Sequence, residues 1–305
     1  MKGTPNSKPI PPFFDTFSIK EALAEARISL ANISDSPALD AELLLANCLK
    51  KNQTYLHTWP ETILNTAQQE CFKKHLEKRL NDYPVAYLLG EQAFWTLDLI
   101  VTPDVLIPRP ETELLVETAL NKISHIKQPK ILDLGTGSGA IALAIASEHP
   151  DALLIASDSS NAALKVARQN AIRNKLDSRI EFIQSNWFAN IQADQQQYQQ
   201  QYQQQSFDLI VSNPPYISPD DPHLSQTIRH EPRTALAAEN NGMADIEIII
   251  KNSLTYLKPK SYLIIEHGYD QAKLSQQLFL QNNYINIESY KDLNKIQRIT
   301  LGCSL

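Results

Sequence analysis

The chain has 305 residues, enough for one large domain beside a smaller one, and a hydrophobic content of 43% is enough to build a core. A net charge of −6 argues against a general nucleic-acid binder, which would carry a basic face. No apolar run reaches transmembrane length, and residues 1–12 are polar and proline-rich rather than a charged-then-apolar signal, so a soluble cytoplasmic protein with no membrane partner is expected. Cys48, Cys71 and Cys303 lie far apart and the histidines form no His-x-x-x-His pair. The cysteines therefore read as thiols in a reducing compartment, and no metal site is expected.

Residues 1–15 read as a flexible leader, because Pro5, Pro9, Pro11 and Pro12 prevent regular structure. Helical spacing follows: Ile19, Ala22, Leu23, Ala26 and Leu30, then Ala41, Leu44, Leu45 and Cys48, then Phe72, Leu76 and Leu80. Ser36 before Pro37 has the composition of an N-cap and first turn. Three amphipathic helices make residues 16–83 a small helical domain. Over 84–110 the texture changes: Trp95, Leu97, Leu99 and Val101 alternate as a half-buried strand does, which predicts a hairpin linker. Pro110 then opens a helix running to about Ser124, with Glu111 and Glu113 at the positive end of its dipole. Arg109, held extended between prolines, either pairs with those acids or points into a site.

From 111 to 305 strand and helix alternate, the mark of a parallel α/β sheet. Strands are predicted at Lys130 to Leu134, Leu153 to Ala156, Ile180 to Ile183, Phe207 to Val211 and Tyr262 to Ile265. Helices are predicted at Ala140 to Ser147, Ala162 to Asn174, Met243 to Leu257 and Gln271 to Gln281, with a closing antiparallel pair within Ile285 to Leu301. Residues 192–205 break the pattern; Gln195 to Gln205 hold nine glutamines and two tyrosines, a low-complexity loop insertion with no assigned function.

Two loops carry the chemistry. Gly135-Thr136-Gly137-Ser138-Gly139 follows the first strand of the sheet and opens a helix, so a ligand can approach the backbone closely. The third glycine comes two residues after the second, not three as in the dinucleotide fingerprint, which disfavours an NAD dehydrogenase. Asp133 adds a carboxylate that would attract an ammonium, a combination suited to S-adenosylmethionine (SAM), which has no pyrophosphate. Asp158, at the end of the next strand, stands where an acid accepts ribose hydroxyl hydrogen bonds; a cap for the following helix is its alternative role. Trp187 is placed to stack on or edge an adenine, or to serve as core.

The second loop is Asn213-Pro214-Pro215-Tyr216, at the carboxyl end of the Phe207 strand. Two prolines remove two backbone N–H groups, leaving mostly acceptors beside the Asn213 side-chain oxygen and the Tyr216 ring. Such a site suits a planar group with two N–H donors, an amide or an exocyclic amine; a plain turn after a core strand is the alternative.

With these residues the chain resembles the peptide-chain release factor glutamine N5-methyltransferases, the PrmC/HemK family. The resemblance runs from about Ser18 to Leu301: the helical domain, Gly90…Phe94…Leu97, Leu106-Ile107-Pro108-Arg109-Pro110-Glu111-Thr112-Glu113, Asp133 to Gly139, Asn213 to Tyr216, Glu231-Pro232…Ala235-Leu236 and Gly242-Met243-Ala244-Asp245. It implies a seven-stranded, Rossmann-like SAM-dependent methyltransferase sheet. SAM would contact Gly135, Thr136, Gly137, Ser138, Gly139, Asp158, Trp187 and Asn213. The glutamine of a release factor's Gly-Gly-Gln loop would contact Asn213, Pro214, Pro215 and Tyr216, with Asn213, Pro214 and Tyr216 carrying catalysis. Asn186 departs from the family, where Asp is frequent before the Trp. The Asn-Pro-Pro-Tyr motif is shared with adenine N6-methyltransferases, so a ribosomal-protein glutamine, a nucleic-acid adenine and a non-catalytic SAM-binding module remain alternatives. The acidic balance weighs against direct nucleic-acid binding.

Overall fold

The computed structural model describes residues 17–191, 206–222, 224 and 228–305. The expected leader (1–15) and the glutamine-rich stretch (192–205) lie outside the described residues. The chain divides into two units, Met1–Gly90 and Glu91–Leu305.

The first unit holds α1 (Ile19–Leu30), α2 (Pro37–Leu49), α3 (Gln53–Thr58), α4 (Thr66–Leu80) and α5 (Val85–Leu89). α1 starts where Ser18 and Glu21 form a reciprocal capping box, and Asn65 and Gln68 do the same for α4. Ser36 departs from expectation: its side chain caps no backbone N–H, and its hydroxyl instead donates to Asp40 Oδ1 at 3.5 Å. Ile19, Ala26, Leu30, Leu44, Leu45, Leu56, Phe72 and Leu76 form a shared core. α3 and α5 were not predicted, because helices of six and five residues are too short to display a period.

The reading of isolated thiols is corrected here. α2 and α4 pack side by side and join Cys48 to Cys71 in a disulfide. His75, one turn after Cys71, places its Nδ1 3.5 Å from Cys48 Sγ, so a cluster that spacing alone did not reveal does exist. With both sulfurs bonded to each other, neither is a thiolate ligand.

The second unit opens with a hairpin of β1 (Glu91–Phe94) and β2 (Leu97–Ile100). The expected linker is thus divided, its first residues forming α5 and its hairpin belonging with the sheet unit. A 3-10 turn (Pro110–Thr112) leads into α6 (Glu113–Ile123). Then come β3 (Lys130–Leu134), α7 (Ala140–Glu148), β4 (Leu153–Asp158), α8 (Asn161–Arg173), β5 (Ile180–Gln184) and β6 (Phe207–Ser212). The chain finishes with α9 (Ala244–Ser253), β7 (Leu257–Glu266), α10 (Ala272–Gln281), β8 (Ile285–Lys291) and β9 (Gln297–Cys303).

The sheet has seven strands in the order β5-β4-β3-β6-β7-β9-β8. β5 through β7 run parallel, and β9 is antiparallel to both β7 and β8. Alternate residues feed opposite faces: Ile131, Leu209 and Ile264 pack with α6 and α7, while Leu132, Ile210 and Leu263 pack with α9 and α10. Both faces are covered, which is why the parallel strands read as continuous apolar runs. β7 starts five residues earlier than its apolar pattern indicates, because Pro259 and Lys260 (φ 63°) sit in a bulge where Phe207 pairs Leu257 but Leu209 pairs Tyr262. Among the described residues, no helix is long and apolar enough to cross a membrane.

Candidate active site

The strand order reverses between β3, whose connection leads through α7 to β4 on one side, and β6, parallel to it on the other. Ligands in open α/β sheets bind at the carboxyl ends of strands beside such a switch. A cavity lies there, lined in part by Gly135 to Ser138, Asp158, Trp187, Asn213 and Pro215. Gly139, Pro214 and Tyr216, also expected at the site, do not line it.

The glycine loop is anchored to β4: Gly135 and Thr136 N–H groups both donate to the Ser157 carbonyl, at 2.8 and 2.9 Å. A Cβ at Gly137 would meet only open space, so this glycine leaves room in the cavity. A Cβ at Gly139 would come within 3.0 Å of Leu143 and 3.3 Å of Ala167, so this glycine serves the packing of α7 on α8. Asn170 fixes the loop from behind. Fully buried on α8, it donates to the Ser138 and Ile100 carbonyls and accepts from Ile100 N–H.

Asp133 is buried beneath the loop and does not line the cavity, which corrects its expected direct attraction for an ammonium. Its Oδ2 accepts from the Thr136 hydroxyl at 2.6 Å, its Oδ1 has no partner, and burial pushes its carboxyl up to about 7. Asp158 does reach the cavity. Its oxygens accept from Gly137 N–H (2.9 Å) and Ser160 N–H (2.8 Å), while Ser160 itself caps α8. Burial raises its pKa against the pull of these N–H groups, and each oxygen keeps a lone pair free for a hydroxyl.

Trp187, at φ 48°, lays its ring against Gly135, where a Cβ would approach it to 3.4 Å. Its Nε1 donates to Asp245 Oδ1 at 3.1 Å. The acceptor loop leaves β6 through Ser212, whose hydroxyl donates to the Leu134 carbonyl at 2.7 Å. Asn213 Nδ2 donates to the Thr112 hydroxyl at 3.2 Å, and Asn213 Oδ1 is buried without a partner. Tyr216 turns away from the cavity: its hydroxyl donates to Glu266 Oε1 at 3.2 Å, and burial with that acid raises its pKa. Glu266 is itself only 1% exposed, and burial pushes its carboxyl up to about 7.

Of the two roles open to Arg109, pairing with Glu111 or Glu113 is not observed; it forms an ion pair with Glu231 and lines the cavity. Glu231 Oε2 also accepts from Ile107 N–H at 3.1 Å, which ties the chain before α6 to the loop after β6. Thr112, Glu231, Asp245 and Glu266 were not expected at the site. The first three lie in the family-like stretches, whereas an acid ending an apolar strand is the only signal for Glu266.

The cavity's chemistry fits SAM. Space opens at Gly137, Asp158 offers acceptors for vicinal hydroxyls, and Ile141, Ala163 and Trp187 supply apolar wall for a flat base.

A family model described as "PrmC N-terminal domain" matches residues 21–90, and one described as "Methyltransferase domain" matches residues 126–300. A release factor glutamine methyltransferase of Shewanella oneidensis is 43% identical over 94% of this chain and 96% of its own length. One of Coxiella burnetii is 43% identical over 93% and 98%. Among solved structures, the hMettl16 catalytic domain aligns over 90% of this chain and 83% of its own, with a TM-score of 0.54 at 16% identity, a likeness of fold alone. By this sequence identity, sustained across both the helical and the sheet unit, the chain belongs to the release factor glutamine methyltransferase family.

Proposed function

We propose that the chain transfers the methyl group of SAM to the side-chain amide nitrogen, N5, of the glutamine in the Gly-Gly-Gln loop of a peptide-chain release factor. The observation that carries this reading is the buried, unpartnered Oδ1 of Asn213 beside the cavity that its residue lines. A buried acceptor without a donor is costly, and a substrate N–H would satisfy it.

Gly135 to Ser138, Asp158 and Trp187 would hold SAM, which when bound supplies an electrophilic sulfonium methyl. The rest of the chemistry is orientation. An amide nitrogen is a poor nucleophile because its lone pair is delocalised into the carbonyl. Asn213 Oδ1 and the Pro214 carbonyl each accept one amide hydrogen, aim the nitrogen and favour positive charge developing on it. As the N–C bond forms and the S–C bond breaks, the nitrogen sheds one of these protons to solvent. Positioning of this kind supplies up to ~7–11 kcal/mol of a barrier. Pro215 walls the acceptor, and Tyr216 holds the loop from behind rather than flanking the substrate. The helical residues help to grip the release factor. The enzyme acts in the cytoplasm, and with a net charge of −6 it takes no nucleic acid directly.

The test is methyl transfer from labelled SAM to a release factor, to the same factor with its Gly-Gly-Gln glutamine replaced, to ribosomal protein and to DNA, followed by peptide mass mapping. One methyl on that glutamine, absent from the replaced factor, is expected. Label confined to another protein or to DNA overturns the substrate, and binding of SAM without any transfer returns the chain to a binding role.

A further inference from the structure

Cys48, Cys71 and His75 bring two sulfurs and an imidazole nitrogen within 4.8 Å of one another on the helical unit. Cys71 and His75 are one turn apart on the same face of α4, and Cys48 meets them from the last turn of α2. All three are half-buried, so a small ion can reach them. The scaffold beneath is firm. Phe72 and Leu76, which follow Cys71 and His75 in the chain, are 1% and 2% exposed, and Leu44, Leu45 and Leu49 bury α2 in the same core.

We propose that, when the cysteines are reduced, these three side chains bind one Zn2+, and that the Cys48–Cys71 disulfide and the zinc complex are alternative states of one site. Two thiolates and an imidazole, with the fourth position left to water, are a donor set that zinc takes. With Zn–S about 2.3 Å and Zn–N about 2.0–2.1 Å, a tetrahedral ion sets its sulfur and nitrogen ligands about 3.5 Å apart. His75 Nδ1 lies 3.5 Å from Cys48 Sγ. The two sulfurs, once unbonded, stand about 3.8 Å apart around such an ion. Helices that already hold the two Cα atoms 5.8 Å apart let side-chain rotation supply that spacing. Two thiolates cancel the charge of Zn2+, so the half-buried complex carries no net charge. Reduction by a dithiol, itself oxidised to a disulfide, gives the two sulfurs two electrons and two protons. Zinc then displaces both protons to solvent. The reverse course explains the exclusion, since a sulfur held in a disulfide is no thiolate.

The experiment takes the full chain, reduced with a dithiol and freed of it by gel filtration under argon, beside a sample left oxidised. Both are titrated with Zn2+ against a chromophoric chelator. One zinc per chain with a Kd below about 1 µM is expected for the reduced protein, and none for the oxidised. Co2+ in place of zinc should give the intense absorption of sulfur-to-metal charge transfer. Changing an outer partner of a metal ligand costs about 10–100-fold in affinity, so Cys48→Ser, Cys71→Ser and His75→Gln, which remove ligands, should each weaken zinc by about a hundredfold or more. Cys303→Ser, which changes the remaining cysteine, should bind as wild type. If a serine variant fails to fold, the reduced and oxidised wild type still decide the matter. Reduced wild type that takes no zinc, a cobalt complex without the sulfur absorption, equal affinity in the oxidised protein, or His75→Gln that binds as wild type overturns the proposal.

Discussion

A Cβ on Gly242 would lie 2.1 Å from the carbonyl oxygen of Tyr216, and Gly242 holds φ at 81°. The turn before α9 therefore presses backbone against the acceptor loop, and Gln271 Nε2 clamps the same carbonyl at 3.0 Å. Gly242→Ala must push one segment off the other. Since displacement of a reacting group by about 1 Å can cost on the order of 10²-fold, kcat is expected to fall about 100-fold. The glycine loop is not touched, so calorimetry should find SAM affinity within a few-fold of wild type; an equal collapse of both would mean that the loop is not the part displaced.

Asn213→Ala removes the proposed acceptor for the substrate amide and leaves the cavity's SAM side unchanged. Loss of one preorganised hydrogen-bond partner costs ~10²–10³ in kcat, and that range is expected here with SAM binding little affected. Single-turnover methyl transfer measures it directly, and turnover at the wild-type rate would remove Asn213 from the chemistry.

The glycine loop and Asn213 are legible in the sequence because their chemistry is local. Glycines between a strand and a helix, and prolines ending a strand, fix backbone geometry within a few residues. The groups that support them are not local. Thr112 reaches Asn213 across 101 residues and Trp187 reaches Asp245 across 58, contacts that only the crossover order of the sheet creates. Tyr216 shows the same limit: its motif marks it as a substrate-facing ring, yet its hydroxyl is committed to Glu266. Asp133 looks like a site carboxylate from its place before the glycines, and burial under them decides otherwise. Element boundaries follow the apolar periods closely at β3, α7 and β6, whereas the helix read over Met243 to Leu257 ends at Ser253 and a bulge moves the start of β7 to Leu257.

Asp245 orients Trp187 through the indole N–H. Hydrogen bonds to charged groups contribute ~1.5–3 kcal/mol, so Asp245→Ala is expected to weaken SAM binding by about tenfold while kcat at saturating SAM stays within about threefold. Trp187→Phe, which keeps a smaller aromatic face but not the donor, should weaken binding at least as much and add little to Asp245→Ala. Additive effects in a titration of the double variant would separate the two residues.

The Arg109–Glu231 pair joins two loops, with the Glu231 side chain only 3% exposed and that of Arg109 34% exposed. Removing the cation strands a buried carboxylate, a change that costs ~3–5 kcal/mol when both partners are buried. Because Arg109 is one-third exposed, about 3 kcal/mol is expected for Arg109→Ala in urea unfolding. Arg109→Ala/Glu231→Gln should recover part of that loss, since a neutral side chain can still accept from Ile107 N–H. A double variant less stable than Arg109→Ala would show that the charge was not the source.

Asp133 and Glu266 give stability a pH dependence whose sign follows from burial. Both carboxyls are pushed up to about 7, from ordinary values of 3.8 and 4.5. Well below the ordinary values of 3.8 and 4.5 each is protonated in folded and unfolded chains alike, and burial carries no charge penalty. Between the unfolded and folded values the unfolded chain ionises first, so this stability is lost progressively as pH rises through about 7. The loss amounts to a few kcal/mol per group. Glu266→Gln cannot ionise, so it should gain on wild type between pH 5.5 and pH 8.5. At roughly 2–4 °C per kcal/mol for a unit of this size, the difference in Tm between variant and wild type should move several degrees in the variant's favour across that interval. Paired thermal melts at the two pH values measure it. A difference that stays constant would mean that Glu266 is already ionised in the folded chain at pH 5.5, and the pH dependence would then fall to Asp133 alone.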